Sequence, residues 1–128
     1  MRCNQIGLTL IQHIRLEQNV HRTATGKFSG LLNEILVAAK IISQEVNTAG
    51  LNAELLLGRA GSVNVHGEDR QKLDVYSNNT FIRILERSGY LAIMGSEEND
   101  SPIFIPKKYK IGKYALLIDP LDGSSNID

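Results

Sequence analysis

Apolar positions recur along the first half of the chain at helical spacing. Leu8, Ile11 and Ile14 mark one short amphipathic helix. A stronger stripe, Leu32, Ile35, Leu36, Ala39, Ile42 and Val46, predicts a helix over residues 29–48, with Ser29 as its N-cap and Gly50 just beyond its end. Between residues 51 and 71 the glycines Gly58, Gly61 and Gly67 interrupt the pattern and predict a long loop, a length that usually goes with function or disorder. A third helix is expected over residues 73–87, with Tyr76, Thr80, Phe81, Ile84 and Leu85 as its buried stripe. Short apolar runs then replace helical periodicity. They predict strands at residues 90–95, 103–105 and 114–118, the last of them, Tyr114-Ala115-Leu116-Leu117-Ile118, as a buried strand. Helices first and strands clustered afterwards predict an α+β fold, a sheet packed against a helical layer. No internal repeat or low-complexity linker divides the 128 residues, a length that suits one domain.

The last predicted strand delivers the most informative stretch of the chain, Asp119-Pro120-Leu121-Asp122-Gly123-Ser124-Ser125-Asn126-Ile127-Asp128. Strand ends are where sites usually form. Pro120 biases Asp119 to an extended backbone, so Asp119 and Asp122 can share one side of a tight turn with the Leu121 carbonyl between them. Hard cations such as Mg²⁺ take that oxygen set. Gly123 permits close backbone approach, and the N–H groups of Ser124 and Ser125 can meet an anion. Each half alone is ordinary turn and cap chemistry. Together, directly after an apolar strand, they make a metal-and-phosphate site.

Two other acidic positions stand out. Glu97-Glu98 follows a predicted strand; spacing alone favours a solvated acidic turn, since adjacent carboxylates repel without a cation. Asp74 falls at a predicted helix start, where capping and the helix dipole would explain it. At the entrance to the long helix, Thr25-Gly26-Lys27-Phe28-Ser29 is either a simple glycine-containing cap or a phosphate-binding N-terminus, to which Lys113 and Tyr114 can add a cation and a phenol.

The string DPLDGSSNID resembles the signature of class I fructose-1,6-bisphosphatases, members of a wider Mg²⁺-dependent phosphomonoesterase superfamily that includes the inositol monophosphatases. The resemblance continues upstream through Thr25-Gly26, the stretch from Ala60 to Val65, Lys72-Leu73-Asp74-Val75, Ser96-Glu97-Glu98 and Gly112-Lys113-Tyr114, and its form is most similar to bacterial members. It implies the sugar-phosphatase fold, with layered helices and mixed, largely antiparallel sheet. It also implies hydrolysis of the 1-phosphate of fructose 1,6-bisphosphate in gluconeogenesis. Alternatives are a phosphatase of another sugar or inositol phosphate, and a noncatalytic segment that binds a nucleotide or partner.

Residue by residue, the resemblance implies Glu97, Asp119, Leu121, Asp122 and, less securely, Glu68 around two or three Mg²⁺ ions, with Mn²⁺ as a substitute. Asp74 and Glu98 would orient and deprotonate the attacking water, and Asp122, Gly123, Ser124 and Ser125 would hold the phosphate. Thr25, Gly26, Lys27, Phe28, Ser29, Lys113 and Tyr114 match a segment that binds AMP, an allosteric inhibitor. The chain departs from the commoner pattern there, with Lys27 for Glu, Phe28 for Leu and Ser29 for Thr. Family polypeptides are well over twice as long, so residues 1–128 correspond to an N-terminal phosphatase domain without its sugar-binding partner domain. Full-length members imply a homo-oligomer, expected as a tetramer.

Composition narrows the partners. Lys plus Arg and Asp plus Glu are 14 each, a formal net charge of zero, which leaves no footprint for nucleic acid or an anionic membrane. With no Trp there is little to stack bases on. One cysteine, Cys3, supports neither an internal disulfide nor a thiolate zinc site, and a reduced cytoplasmic setting is expected. No signal peptide or spanning segment is visible. His13, His21 and His66 have no metal-ligand spacing and are expected at surface or helix-end positions.

Overall fold

A computed structural model describes residues 7–57 and 64–121, with side chains described over 7–48 and 72–121. Helix α1 spans Leu10–Val20. Its start is set by a capping box that periodicity alone does not reveal. The Thr9 side chain accepts from the Gln12 backbone N–H at 3.2 Å, and the Gln12 side chain accepts from the Thr9 N–H at 2.9 Å. None of its residues is buried, so α1 lies on the surface.

Helix α2 spans Lys27–Leu57 and helix α3 spans Asn64–Leu85. Both outrun the periodicity. Gly26, at φ +77°, ends the preceding turn, and Gly30 N–H closes onto the Gly26 carbonyl at 2.8 Å. The helix therefore starts two residues before Ser29, which is not its cap. Gly50 does not end it either. A helical glycine costs about 1 kcal/mol relative to alanine, and the strong helix formers after it, Ala53 and Leu55 to Leu57, carry the helix on. Gly67 is likewise inside α3. The loop expected over 51–71 is thus mostly helix, and Gly58 and Gly61 lie outside the described residues.

Three strands follow: β1, Leu91–Ser96; β2, Ile103–Phe104; and β3, Tyr114–Ile118. Their order is β2-β1-β3, with β1 and β2 antiparallel and β1 and β3 parallel. The sheet is mixed, as expected, and its longer ladder is the parallel one. That ladder is kinked near its start, where the Tyr90 carbonyl accepts from both Lys113 and Tyr114 N–H at 3.0 Å. Gly112 makes the close approach possible, because a Cβ there would run into the Tyr90 backbone.

The core lies where the α2–α3 pair meets β1. Leu31, Ala38 and Ile42 of α2, Phe81 and Leu85 of α3, Leu91 and Met94 of β1, and Ile105 form it. The buried face of α2 is rotated slightly from the predicted stripe, with Leu31 and Ala38 inside and Ala39 outside. On α3 the difference is larger. Thr80 is buried as expected, but Tyr76 is exposed, and Ser77 and Asn78 are buried in its place. Strand β3 is half-buried rather than buried, since Ala115 and Leu117 face outward and Leu117 is 87% exposed. Among the described residues, β3 pairs on one side alone.

Candidate active site at the strand ends

Parallel pairing puts the carboxyl ends of β1 and β3 side by side, the usual place for sites in parallel sheets. Ser96 is in register with Ile118, and the Glu97 N–H extends the ladder by donating to the Ile118 carbonyl at 3.1 Å. Glu97 and Asp119 therefore leave adjacent strands at the same level, about 5 Å apart in backbone spacing. Nothing in the one-dimensional spacing of these two residues requires that meeting. Beyond β3 the chain turns at once. Pro120 is buried, and Asp119 Oδ1 accepts from the Leu121 N–H at 3.3 Å, an Asx turn that presents the carboxylate at the strand end.

Helix α3 contributes the third acid. Asp74 lies ten residues inside α3, so neither capping nor the dipole at a helix start explains it. Its Oδ1 is buried and has no hydrogen-bond partner, and the same holds for Ser77 Oγ. Burying an unpartnered carboxylate oxygen is costly, and such atoms concentrate where a ligand or ion completes them. One turn on, Asn78 shares the Asp74 face and bonds to the end of β1: its Oδ1 accepts from Ser96 Oγ at 2.8 Å. Glu98 is exposed and is held by its N–H, which donates to Ser96 Oγ at 3.3 Å.

The expected metal and phosphate residues divide accordingly. Glu97 and Asp119 leave neighbouring strand ends at the same level, with Glu98 and Leu121 close behind them in the chain, and Asp74 lies one helical turn before Asn78, which bonds to Ser96. Glu68 belongs to α3 and not to a loop, with its side chain outside the described residues. Asp122, Gly123, Ser124 and Ser125 also lie outside them. Among the described residues no group of three or more metal-ligating side chains is gathered. The donors at these positions are oxygens, the chemistry that suits a hard divalent cation.

A cleft of about 460 Å³ opens between α1, the turn after it, the start of α2 and Tyr114. Of the residues matched to the AMP-binding segment, Thr25, Gly26, Phe28, Ser29 and Tyr114 line it. Lys27 and Lys113 do not. Phe28 and Tyr114 pack with ring centroids 5.8 Å apart, and Gln18 Nε2 donates to Ser29 Oγ at 2.6 Å, tying α1 to α2. Gln18, His13 and His21 also line the cleft. His13 is partly exposed on α1 and His21 is its C-cap, while the His66 side chain lies outside the described residues. What the sequence did not signal is that His13 and His21 face a shared cavity, which only the packing of α1 on α2 creates.

A family model described as "Fructose-1-6-bisphosphatase, N-terminal domain" matches residues 8–128. The chain belongs to the fructose-1,6-bisphosphatase family. It is 50% identical over 121 residues to "Fructose-1,6-bisphosphatase class 1" of Oleidesulfovibrio alaskensis, covering 94% of this chain and 35% of that relative. The class 1 enzyme of Chlorobium luteolum is 49% identical over the same coverage. The holo crystal structure of Leishmania major fructose-1,6-bisphosphatase superposes with a TM-score of 0.65 at 33% identity, covering 93% of this chain and 33% of that one. The chain thus spans about a third of the length of these fructose-1,6-bisphosphatases, and the fold is theirs over that third.

Proposed function

We propose that residues 1–128 form the N-terminal phosphatase domain of a fructose-1,6-bisphosphatase, which hydrolyses the 1-phosphate of fructose 1,6-bisphosphate to fructose 6-phosphate and phosphate in gluconeogenesis. A further domain would grip the sugar. The observation that carries the reading is the side-by-side exit of Glu97 and Asp119 from adjacent parallel strands, in a chain 50% identical to a class 1 enzyme.

Glu97, Asp119, Asp122, the Leu121 carbonyl and Glu68 would hold two or three Mg²⁺ ions, or Mn²⁺ in their place. When bound, such ions offset the phosphate charge and polarise water and the leaving oxygen. The residues do the rest. Asp122, Gly123, Ser124 and Ser125 hold the phosphate, and Asp74 and Glu98 orient the attacking water and take its proton. Asp74 Oδ1, buried and unpartnered, suits a group waiting for that water. In the full-length enzyme, Asp119→Asn or Glu97→Gln is expected to abolish turnover while the fold is kept. Near-normal activity in either variant would refute the site, and preference for another sugar or inositol phosphate would move the reading within the superfamily.

The cleft beside α1 is proposed as an AMP site that regulates the enzyme. Its volume falls in the range of small-ligand pockets. The N-terminus of α2, the Thr25 hydroxyl and the Tyr114 phenol supply donors, and Ser29, whose oxygen accepts from Gln18, keeps its own proton to give. AMP should inhibit the enzyme; a titration without effect removes this part. We further propose a cytoplasmic homo-oligomer, a tetramer at full length. No helix among the described residues is long and apolar enough to cross a membrane.

A further inference from the structure

Three polar side chains and three backbone groups form one directed chain of four hydrogen bonds between α3 and the turn that carries Glu97 and Glu98. The Glu98 N–H donates to Ser96 Oγ at 3.3 Å. With a donor already on its oxygen, the Ser96 hydroxyl gives its proton to Asn78 Oδ1 at 2.8 Å. Asn78 Nδ2 then donates to Asn99 Oδ1 at 2.8 Å, and the Asn99 N–H returns to the Ser96 carbonyl at 3.1 Å. Asn78 and Ser96 are both buried, at 8% and 9% exposure, where an unmade hydrogen bond is costly and a completed chain is mutually reinforcing.

We propose that Asn78 and Ser96 are positioning residues that set the distance between the two halves of the active site. The inference rests on the phosphatase reading above. Asn78 lies one helical turn after Asp74 on the same face of α3, and Ser96 immediately precedes Glu97 and bonds the Glu98 backbone. The bonds through Ser96 Oγ therefore tie the turn that carries Glu97 and Glu98 to the helix that carries Asp74.

Groups that orient metal-binding carboxylates typically change metal affinity about 10–100-fold when removed. In the full-length enzyme, Asn78→Ala and Ser96→Ala should each weaken Mn²⁺ binding about 10-fold or more, read by electron paramagnetic resonance without substrate. They should lower kcat and leave KM for the sugar bisphosphate near its original value. Ser96→Thr, which keeps the hydroxyl, should restore both. The Asn78→Ala/Ser96→Ala double variant should bind Mn²⁺ about as well as either single one, since the two act through one bond.

Folded single variants with unchanged Mn²⁺ affinity and kcat would overturn the proposal, as would additive losses. Glu97→Gln separates the two levels of argument. If it loses Mn²⁺ while Asn78→Ala and Ser96→Ala do not, the positioning role alone fails. If it binds Mn²⁺ normally, the metal-site reading fails and takes the proposal with it. Should both buried variants unfold, Asn99→Ala, at the exposed end of the chain, decides: a smaller loss of Mn²⁺ affinity supports the role, and none overturns it.

Discussion

Replacing Gly30 by alanine sets two opposed magnitudes against each other at one atom. Gly30 lies in the first turns of α2, where alanine is favoured over glycine by about 1 kcal/mol. The added Cβ, however, would run into the Tyr90 hydroxyl and sit 2.5 Å from its Cζ and 3.0 Å from its Cε1. Ordinary contacts begin near 3.4 Å, so the ring has to retreat. It is poorly placed to do so. The Tyr90 carbonyl is bonded to two N–H groups of the β3 entry, and Gly112 packs against its backbone. Overpacking of this kind costs about 1–3 kcal/mol, and the held backbone leaves the ring only side-chain rotation with which to relieve it. The net expectation for Gly30→Ala is a destabilisation of about 1–2 kcal/mol, read as a lower urea midpoint. In a Tyr90→Ala background the obstacle is gone. The same substitution should then stabilise by about 1 kcal/mol, so its sign reverses. A higher midpoint for Gly30→Ala with Tyr90 in place, or the same sign in both backgrounds, would refute the packing argument.

Leu85 is completely buried where α3 meets α2 and the sheet, so Leu85→Ala should lower stability by about 2–5 kcal/mol in the same urea assay. Gly112→Ala should be severe, about 3 kcal/mol, because the new Cβ meets the Tyr90 backbone, which has nowhere to move. Gly95→Ala is the contrasting case: its Cβ meets only Leu117 Cδ2, the tip of an 87% exposed side chain that can swing away. Its midpoint should stay within about 0.5 kcal/mol of the parent, and equal effects at the two glycines would show that backbone proximity is not what matters.

Local signals in this chain were legible where one segment satisfies itself. Strands 103–105 and 114–118 were placed to within a residue, since short β-rich apolar runs bounded by Gly, Pro and Lys leave few alternatives. Helix ends were not. Gly50 and Gly67 look like breakers, yet a glycine's penalty of about 1 kcal/mol is small beside the propensity and packing of a helix of 31 or 22 residues. The error propagated to Asp74, which a helix start would have explained and a helix interior does not. The outward face of β3 was missed for another reason. Alternation is invisible in an all-apolar run, and which side is covered depends on the neighbour.

The site shows the same division. Sequence by itself carried the family and named the candidate side chains, because DPLDGSSNID combines carboxylates, proline and a Gly-Ser-Ser stretch within ten residues. Only the tertiary structure decided what they face. Parallel pairing of β1 with β3 brings Glu97 beside Asp119 across more than twenty residues of chain, and the packing of α3 on the sheet buries Asn78 against Ser96. Both are long-range contacts whose free energy comes from covering a shared apolar core, and a polar residue such as Asn78 carries no local mark of the partner that makes its burial tolerable.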